Sequence, residues 1–422
     1  MILLDDLARH RRDGRPRGIT SVCSAHPLVL RAALRHGRES GATVLIEATC
    51  NQVNHEGGYT GMRPADFARL VREIAAQEDC PEERIVLGGD HLGPNPWRDR
   101  SADEAMAEAV RMVEAYVAAG FRKIHLDASM GCAGEPAALD DETTAIRAAR
   151  LARAAEDAVT EDASSRPVYV IGTEVPPPGG ADHALDSVAV TAPEAARRTI
   201  AVHRARFAAE GLGAAMARVV AVVVQPGVEF GNRNVLPYDP AAARALARVL
   251  DEEPGFVFEA HSTDFQGTGP LARLVADGFA ILKVGPELTF ALREALYALD
   301  LIASDLLPGY GDRPLMRAME ALMATAPEHW SRHYGKAAED AWMRHYSLSD
   351  RIRYYWARPE AEAAVERLVA ALDGRHVPLP LLWQHLRGAA HLADRPFEAE
   401  AVVLNHVADR LDAYLAACRP AR

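Results

Sequence analysis

The sequence predicts a single (β/α)8 TIM barrel followed by a C-terminal helical extension. Three observations carry this. Short apolar or β-branched runs recur through the first 290 residues, and Ala/Arg/Glu-rich stretches of helical period separate them. Each run also ends in a polar, Gly- or Pro-rich segment. Buried parallel strands read as continuous apolar runs, and the intervening lengths suit crossover helices. Eight such units close a barrel of about 250 residues, so the 422-residue chain leaves room for an appendage.

In chain order the runs are Gly18–Cys23, Thr43–Ala48, Arg84–Gly88, Lys123–Leu126, Val168–Gly172, Val219–Val224, Phe256–Glu259 and Phe279–Val284. Helical stretches such as Ala102–Ala119, Glu142–Ala158 and Pro240–Asp251 lie between them. The residues of the eight runs are expected to fill the barrel interior. From about residue 291 the pattern is helical only, with amphipathic Leu292–Leu307, Pro314–Ala324, Ala338–His345, Pro359–Leu372 and Glu398–Ala417 and no linker before them. The expected organisation is a barrel over residues 1–290 and a helical extension over 291–422 packed on it. Within the extension, SLSDRIRYYW (Ser347–Trp356) brings Arg351 and Arg353 together with three aromatics. A structural anchor and a sugar-phosphate or subunit contact are both open readings of it.

Composition narrows the function. The chain is 49% hydrophobic and 25% charged, and its net charge of −12 contains no block of like charges. Nucleic-acid binding would need a basic stripe, so no nucleic-acid partner is expected. The five cysteines are scattered without CxxC spacing, which argues against a disulfide framework or a thiolate zinc site and suits a reducing cytoplasm. With no signal-like start and no run of about 18 apolar residues, a cytoplasmic protein without a membrane partner is expected.

The strand ends carry the chemistry. They read CSAHP, EATCNQ, GGDHLGPN, HLDASMG, GTEVPPPGG, QPGVEFGN, EAHSTDFQ and KVGPELT, and in a TIM barrel these ends form the active-site rim. Asp90 and His91 end the third strand, Asp127 and Ser129 the fourth, Glu174 the fifth, Gln225 the sixth and His261 the seventh. Adjacent strand residues point to opposite sides, so Asp90 and His91 can act together only if the strand end twists or opens. An imidazole pair with a carboxylate suits zinc or another first-row divalent ion, with positions left for substrate. His26, Glu47, Asn51, Ser129, Ser262, Asp264 and Lys283 stand on or beside the same rim and are candidates for sugar contacts.

The stretches SVCSAHPLV, IEATCNQVN, GGYTGM, GGDHLGPN, KIHLDASM, YVIGTEVPPPGG, VVQPGVEF, EAHSTDFQ, ILKVGPELTFALREA and YSLSDRIRYYW span most of the chain. In them the sequence resembles the so-called non-catalytic, GatZ/KbaZ-type subunit of tagatose-bisphosphate aldolase, of galactitol and N-acetylgalactosamine catabolism. That family is related to the class II, metal-dependent aldolases. The resemblance implies that Asp90 transfers protons and His91 binds metal. It implies further that Asp127 and Ser129 form the polar end of strand four, that Glu174 is a carboxylate at the metal, and that His261 is a further ligand. Gln225 stands where those aldolases have another zinc-ligating histidine. Amide oxygen is the harder donor and favours manganese, magnesium or loosely held zinc, while nickel stays open. Ser262-Thr263-Asp264 replaces the glycines that cradle a C1 phosphate. The added carboxylate repels a dianion, so a ketose with a free C1 hydroxyl fits better.

Three functions remain open. The chain is an accessory subunit for a separate catalytic aldolase, an enzyme acting at C3–C4 of a ketohexose or its 6-phosphate, or a sugar-phosphate kinase. Against the kinase, there is no GxxxxGK[ST] loop and the chain has three lysines. The C4 hydrogen of a 2-ketose is not acidic, so inversion at C4 calls for a retro-aldol route with metal assistance and Asp90 as acid/base. Lys123 and Lys283 are the lysines available for a Schiff-base alternative. Asp90, His91, Glu174 and His261 on one rim favour the enzyme, acting alone, as a homo-oligomer or beside an aldolase subunit.

Overall fold

The computed structural model describes residues 4–160, 166–172, 187–334 and 341–419. Eight parallel strands form a closed barrel: β1 Ile19–Cys23, β2 Val44–Thr49, β3 Ile85–Leu92, β4 Lys123–Leu126, β5 Val168–Ile171, β6 Val219–Val223, β7 Val257–Ala260 and β8 Phe279–Val284. Neighbours pair in chain order, and β8 closes on β1 from Ile19↔Ile281 to Val22↔Val284. A helix follows each strand: Pro27–Ser40, Pro64–Gln77, Ala102–Ala118, Asp141–Asp157, Pro193–Ala209, Pro240–Ala247, Thr268–Ala276 and Pro286–Leu306. Five of these begin on proline, whose fixed φ suits the first turn and whose missing N–H costs nothing there. Ser101 and Asp140 cap two others by accepting backbone N–H bonds.

Strand alternation sorts the side chains into two layers. Ile46, Ile124, Tyr169, Val222, Phe258 and Leu282 face out and pack against the helices. Leu45, Val170, Val223, Val257 and Ile281 face in and share a second cluster with Leu4, Leu7 and Ala8 of the N-terminal segment. Above that apolar floor the interior differs from expectation. Glu47, Lys123, Glu259 and Lys283 fill it, each almost wholly buried.

Residue 290 lies inside the eighth barrel helix, Pro286–Leu306, so the purely helical extension starts later than the expected residue 291. It comprises Pro314–Thr325, Ala341–Tyr346, Pro359–Leu372, Leu379–His385 and Ala399–Cys418, with short 3-10 turns between them. Val402, Val403, Val407, Leu411 and Tyr414 of the last helix belong to the same apolar cluster as the barrel's outer layer. That helix is also tied to the barrel: Gly18 N–H donates to Cys418 C=O at 3.0 Å and Tyr414 donates to Thr263 C=O at 2.8 Å. Among the described residues no helix is long and apolar enough to cross a membrane, and the five cysteines are unpaired.

Candidate active site

Inward-facing positions on neighbouring strands build the site from the floor upward. On β4 and the residue after it, Lys123, His125 and Asp127 share one face by the two-residue period, as Glu259 and His261 do on β7. Lys123 Nζ lies 2.7 Å from both Glu47 and Glu259. Lys283 Nζ lies 2.5 Å from Glu47 and 2.8 Å from Asp90. Gly88 makes room for this layer, since a Cβ there would come within 2.7 Å of Glu47 Cγ. Burial by itself would depress both ammonium pKa values. The adjacent carboxylates outweigh it and hold both groups above the ordinary lysine range. A lysine kept protonated is a poor nucleophile, which counts against the Schiff-base alternative. Glu47, expected to contact sugar, is fully buried between the two lysines, and its role is to pair them.

The next layer holds Asp90, His91, His125 and His261, whose potential ligand atoms all lie within 4.8 Å of one another. The His91–His261 and His91–His125 ring centroids are 4.8 and 4.9 Å apart. Adjacent Asp90 and His91 both reach it because β3 shifts register against β4 between Gly89 and Leu92 and His91 takes a positive φ of 50°. Each imidazole is braced from behind. His91 Nδ1 meets Asp127 at 2.8 Å, and Asp127 also accepts from Ser129 Oγ at 3.0 Å. His261 Nε2 meets Glu259 at 2.9 Å, and His125 Nε2 donates to the Gly172 carbonyl at 3.0 Å. An oxygen behind the ring is the usual device for orienting a metal-binding histidine.

With Nε2 donating, His125 Nδ1 accepts from the His91 backbone N–H at 3.2 Å and lies 3.0 Å from Asp90 Oδ1. Lys283 Nζ, 2.8 Å from the same Asp90 oxygen, supplies positive charge at that contact. Three imidazoles and one carboxylate gathered this closely are a donor set that fits a first-row divalent metal. Burial pushes the Asp90 carboxyl up, but the charges of His91 and Lys283 hold it well below the usual range.

The cluster forms part of the wall of a cavity of about 660 Å³. His26, Asn51, Asp90, His91, His261, Ser262, Asp264 and Lys283 all line it. Burial holds the His26 imidazole at about 4, so it is neutral, and its Nδ1 caps the helix Pro27–Ser40 by accepting from Leu28 N–H. Asp127 and Ser129 stand behind His91. Glu174 lies outside the described residues.

Gln225 has a local task in this structure. Its amide oxygen accepts the N–H groups of Gly227 at 2.8 Å and Val228 at 3.0 Å, which commits it to shaping its own loop. His125 on β4 is the imidazole that joins His91 and His261. The sequence signal that finds it is the spacing Lys123, His125, Asp127, which points all three into the barrel. Asp264 also has a local task. Its Oδ1 accepts from the N–H groups of Gly285 at 3.0 Å and Glu287 at 2.8 Å, at the head of the helix Pro286–Leu306. Burial and the neighbouring Glu287 push its carboxyl up to about 7.

The outer wall adds residues that rim reasoning did not reach: Tyr59 from the loop after β2, and Arg353 and Tyr354 from the extension. Of the two arginines in SLSDRIRYYW, Arg351 is not in this wall and donates to the His329 carbonyl at 3.3 Å.

Comparison with known proteins agrees with this architecture. Residues 4–419 match the family model described as D-tagatose-1,6-bisphosphate aldolase subunit GatZ/KbaZ-like. A D-tagatose 6-phosphate 4-epimerase from Agrobacterium fabrum (strain C58 / ATCC 33970) is 60% identical over 416 residues, 98% of each chain. A solved structure described as a probable tagatose 6 phosphate kinase from Sinorhizobium meliloti 1021 superposes with a TM-score of 0.87 at 54% identity, covering 95% of this chain and 100% of the other. The fructuronate-tagaturonate epimerase UxaE of Cohnella laeviribosi, at 13% identity and a TM-score of 0.51 over 97% of this chain and 84% of its own, shares the fold.

Proposed function

We propose that this chain, which belongs to the D-tagatose-1,6-bisphosphate aldolase subunit GatZ/KbaZ-like family, is an enzyme that interconverts D-tagatose 6-phosphate and D-fructose 6-phosphate by inverting C4. The observation that carries the reading is the braced cluster of Asp90, His91, His125 and His261, of which Asp90, His91 and His261 line the cavity. The name and 60% identity of the Agrobacterium epimerase support the substrate pair. A purely accessory subunit has no use for three oriented imidazoles beside a buried carboxylate.

Inversion proceeds by breaking and remaking one bond. Asp90 takes the proton of the C4 hydroxyl. The C3–C4 pair of electrons then stays with the C1–C3 fragment as an enediolate, and C4 leaves as the aldehyde of a three-carbon phosphate. The aldehyde turns its other face, the bond re-forms, and Asp90 returns the proton to the inverted C4 oxygen. No atom or electron is gained or lost. A divalent ion held by His91, His125 and His261 would supply Lewis acidity toward the C2 carbonyl and C3 hydroxyl. Lys283, 2.8 Å from Asp90, keeps that carboxylate ionised. Closure of the cavity around both fragments separates an epimerase from an aldolase, because an escaping aldehyde would be cleavage.

Asp264 supports a substrate unphosphorylated at C1. Barrel enzymes often bind phosphate at the loops after strands seven and eight, and here an internal carboxylate already takes the N–H groups of Gly285 and Glu287. The test is to purify the chain alone, add Mn, Zn or Ni, and follow tagatose 6-phosphate against fructose 6-phosphate. Activity seen only with an added aldolase polypeptide would return the chain to the accessory reading.

A further inference from the structure

Arg353 stands in the cavity wall with no carboxylate in ion-pair contact, although the Asp350 carboxylate acts on it from farther off. Its Nη1 donates to the carbonyls of Ser349 and Asp350, the latter at 3.2 Å, and its Nη2 donates to Tyr354 Oη at 2.9 Å. These partners are all neutral. Among the described residues no carboxylate comes within ion-pairing distance of it, although Glu362 and Glu366 also line the cavity. Its guanidinium lies 4.5 Å from the Tyr354 ring centroid, and the Tyr354 ring meets that of Tyr59 edge-on at 5.0 Å. Arg353 is half-buried, and a guanidinium on a cavity wall with no carboxylate in contact can receive an anion that arrives from outside.

The segment that carries Arg353 is fixed to the barrel. Asp350 accepts from Thr289 at 2.7 Å and from Arg293 at 3.3 Å, both on the eighth barrel helix. Ser349 donates to Asn232 at 2.7 Å, in the insert after β6. The SLSDR turn is therefore the anchor, and Arg353 is what the anchor presents to the cavity. The common barrel site for phosphate is filled from within by Asp264, so an anionic group on the sugar must be held elsewhere.

We infer that Arg353, with Tyr354 and Tyr59 beside it, binds the phosphate monoester at C6 of the substrate, so that the helical extension, not the loops after β7 and β8, supplies the phosphate site. This rests on the epimerase reading for the identity of the sugar. A guanidinium fork suits phosphate oxygens, and the flanking phenols can donate to the same group. With the phosphate held at the outer wall, the C2–C4 end of the ketose faces the Asp90 and histidine cluster.

The test is calorimetric titration of the metal-loaded full chain with fructose 6-phosphate and with inorganic phosphate, alongside the interconversion assay. Arg353→Met should weaken fructose 6-phosphate binding roughly 10- to 100-fold, as expected for losing charge-assisted hydrogen bonds, and should abolish competition by inorganic phosphate. Its melting temperature should stay close to wild type. Arg353→Lys keeps the charge but not the fork. It should fold like wild type and still bind about tenfold more weakly, which decides the matter if the Met variant does not fold. Wild-type affinity in these variants, or inorganic phosphate that never competes, would overturn the inference. Arg353-dependent binding without interconversion would sink the epimerase reading and leave the anion site standing. Interconversion with Arg353-independent binding would do the reverse.

Discussion

The barrel interior and the outer wall of the cavity treat charge in opposite ways. In the barrel interior, Lys123, Lys283, Glu47, Glu259 and Asp90 alternate in sign, with Lys123 2.7 Å from Glu47 and Glu259 and Lys283 within 2.8 Å of Glu47 and Asp90. At the outer wall Arg353 meets only carbonyls and a phenol. Buried charges of opposite sign at close range offset one another under the reacting atoms. An unpaired one is paired by the ligand. The difference separates what the fold keeps for itself from what it offers to substrate.

The largest expected effect tests the paired end. Lys123→Met removes the cation 2.7 Å from both Glu47 and Glu259 and leaves only Lys283, 2.5 Å from Glu47 and 3.8 Å from Glu259, to offset them. It should destabilise the protein by about 3–5 kcal/mol in denaturant unfolding. A loss below about 1 kcal/mol would mean that the interior tolerates unpaired charge and the contrast fails.

Next comes the reactive group between the two ends. Asp90→Asn keeps shape and hydrogen bonding but cannot carry the proton. Turnover should fall on the order of a hundredfold or more, about 2.7 kcal/mol in barrier, with melting temperature and metal content preserved. Activity indifferent to this change would remove Asp90 from the mechanism.

A smaller pair of effects separates His125 from Gln225. His125→Ala should cost at least about tenfold in metal affinity, measured as metal retained after dialysis. Gln225→Ala should leave metal content intact and lower only the melting temperature, because two loop N–H groups lose their acceptor. The opposite pattern would put Gln225 back among the ligands.

The shallowest effect is a pH slope. The Asp264 carboxyl is raised from 3.8 to about 7 by burial and Glu287. Its folded-state pKa exceeds its unfolded one, so its contribution is fully present below about pH 4 and is lost as pH rises toward 7. Asp264→Asn does not titrate there. Its stability relative to wild type should therefore increase across that window by at most about 1.4 kcal/mol per pH unit, then level off. A difference that is flat between pH 4 and 7 would show that Asp264 has an ordinary pKa.

The sequence by itself determined the barrel and the rim. Eight apolar runs with helical spacers admit few other folds, because backbone periodicity and crossover length are local properties. It also marked Asp90, His91 and His261 as strand-end residues, since position after a strand is readable along the chain. Lys123, His125 and Asp127 were equally legible by their two-residue spacing, and only strand β4's short length disguised His125 as part of an apolar run. What the tertiary structure decided is direction and company. A register shift and a positive φ turn adjacent Asp90 and His91 into one mouth. Gln225 is drawn away by two N–H groups of its own loop. Arg353 reaches the cavity because Asp350 is held by Thr289 and Arg293, about sixty residues earlier in the chain. Such outcomes depend on which groups find partners after packing, and burial makes an unmet partner costly, so no reading of one segment at a time could have supplied them.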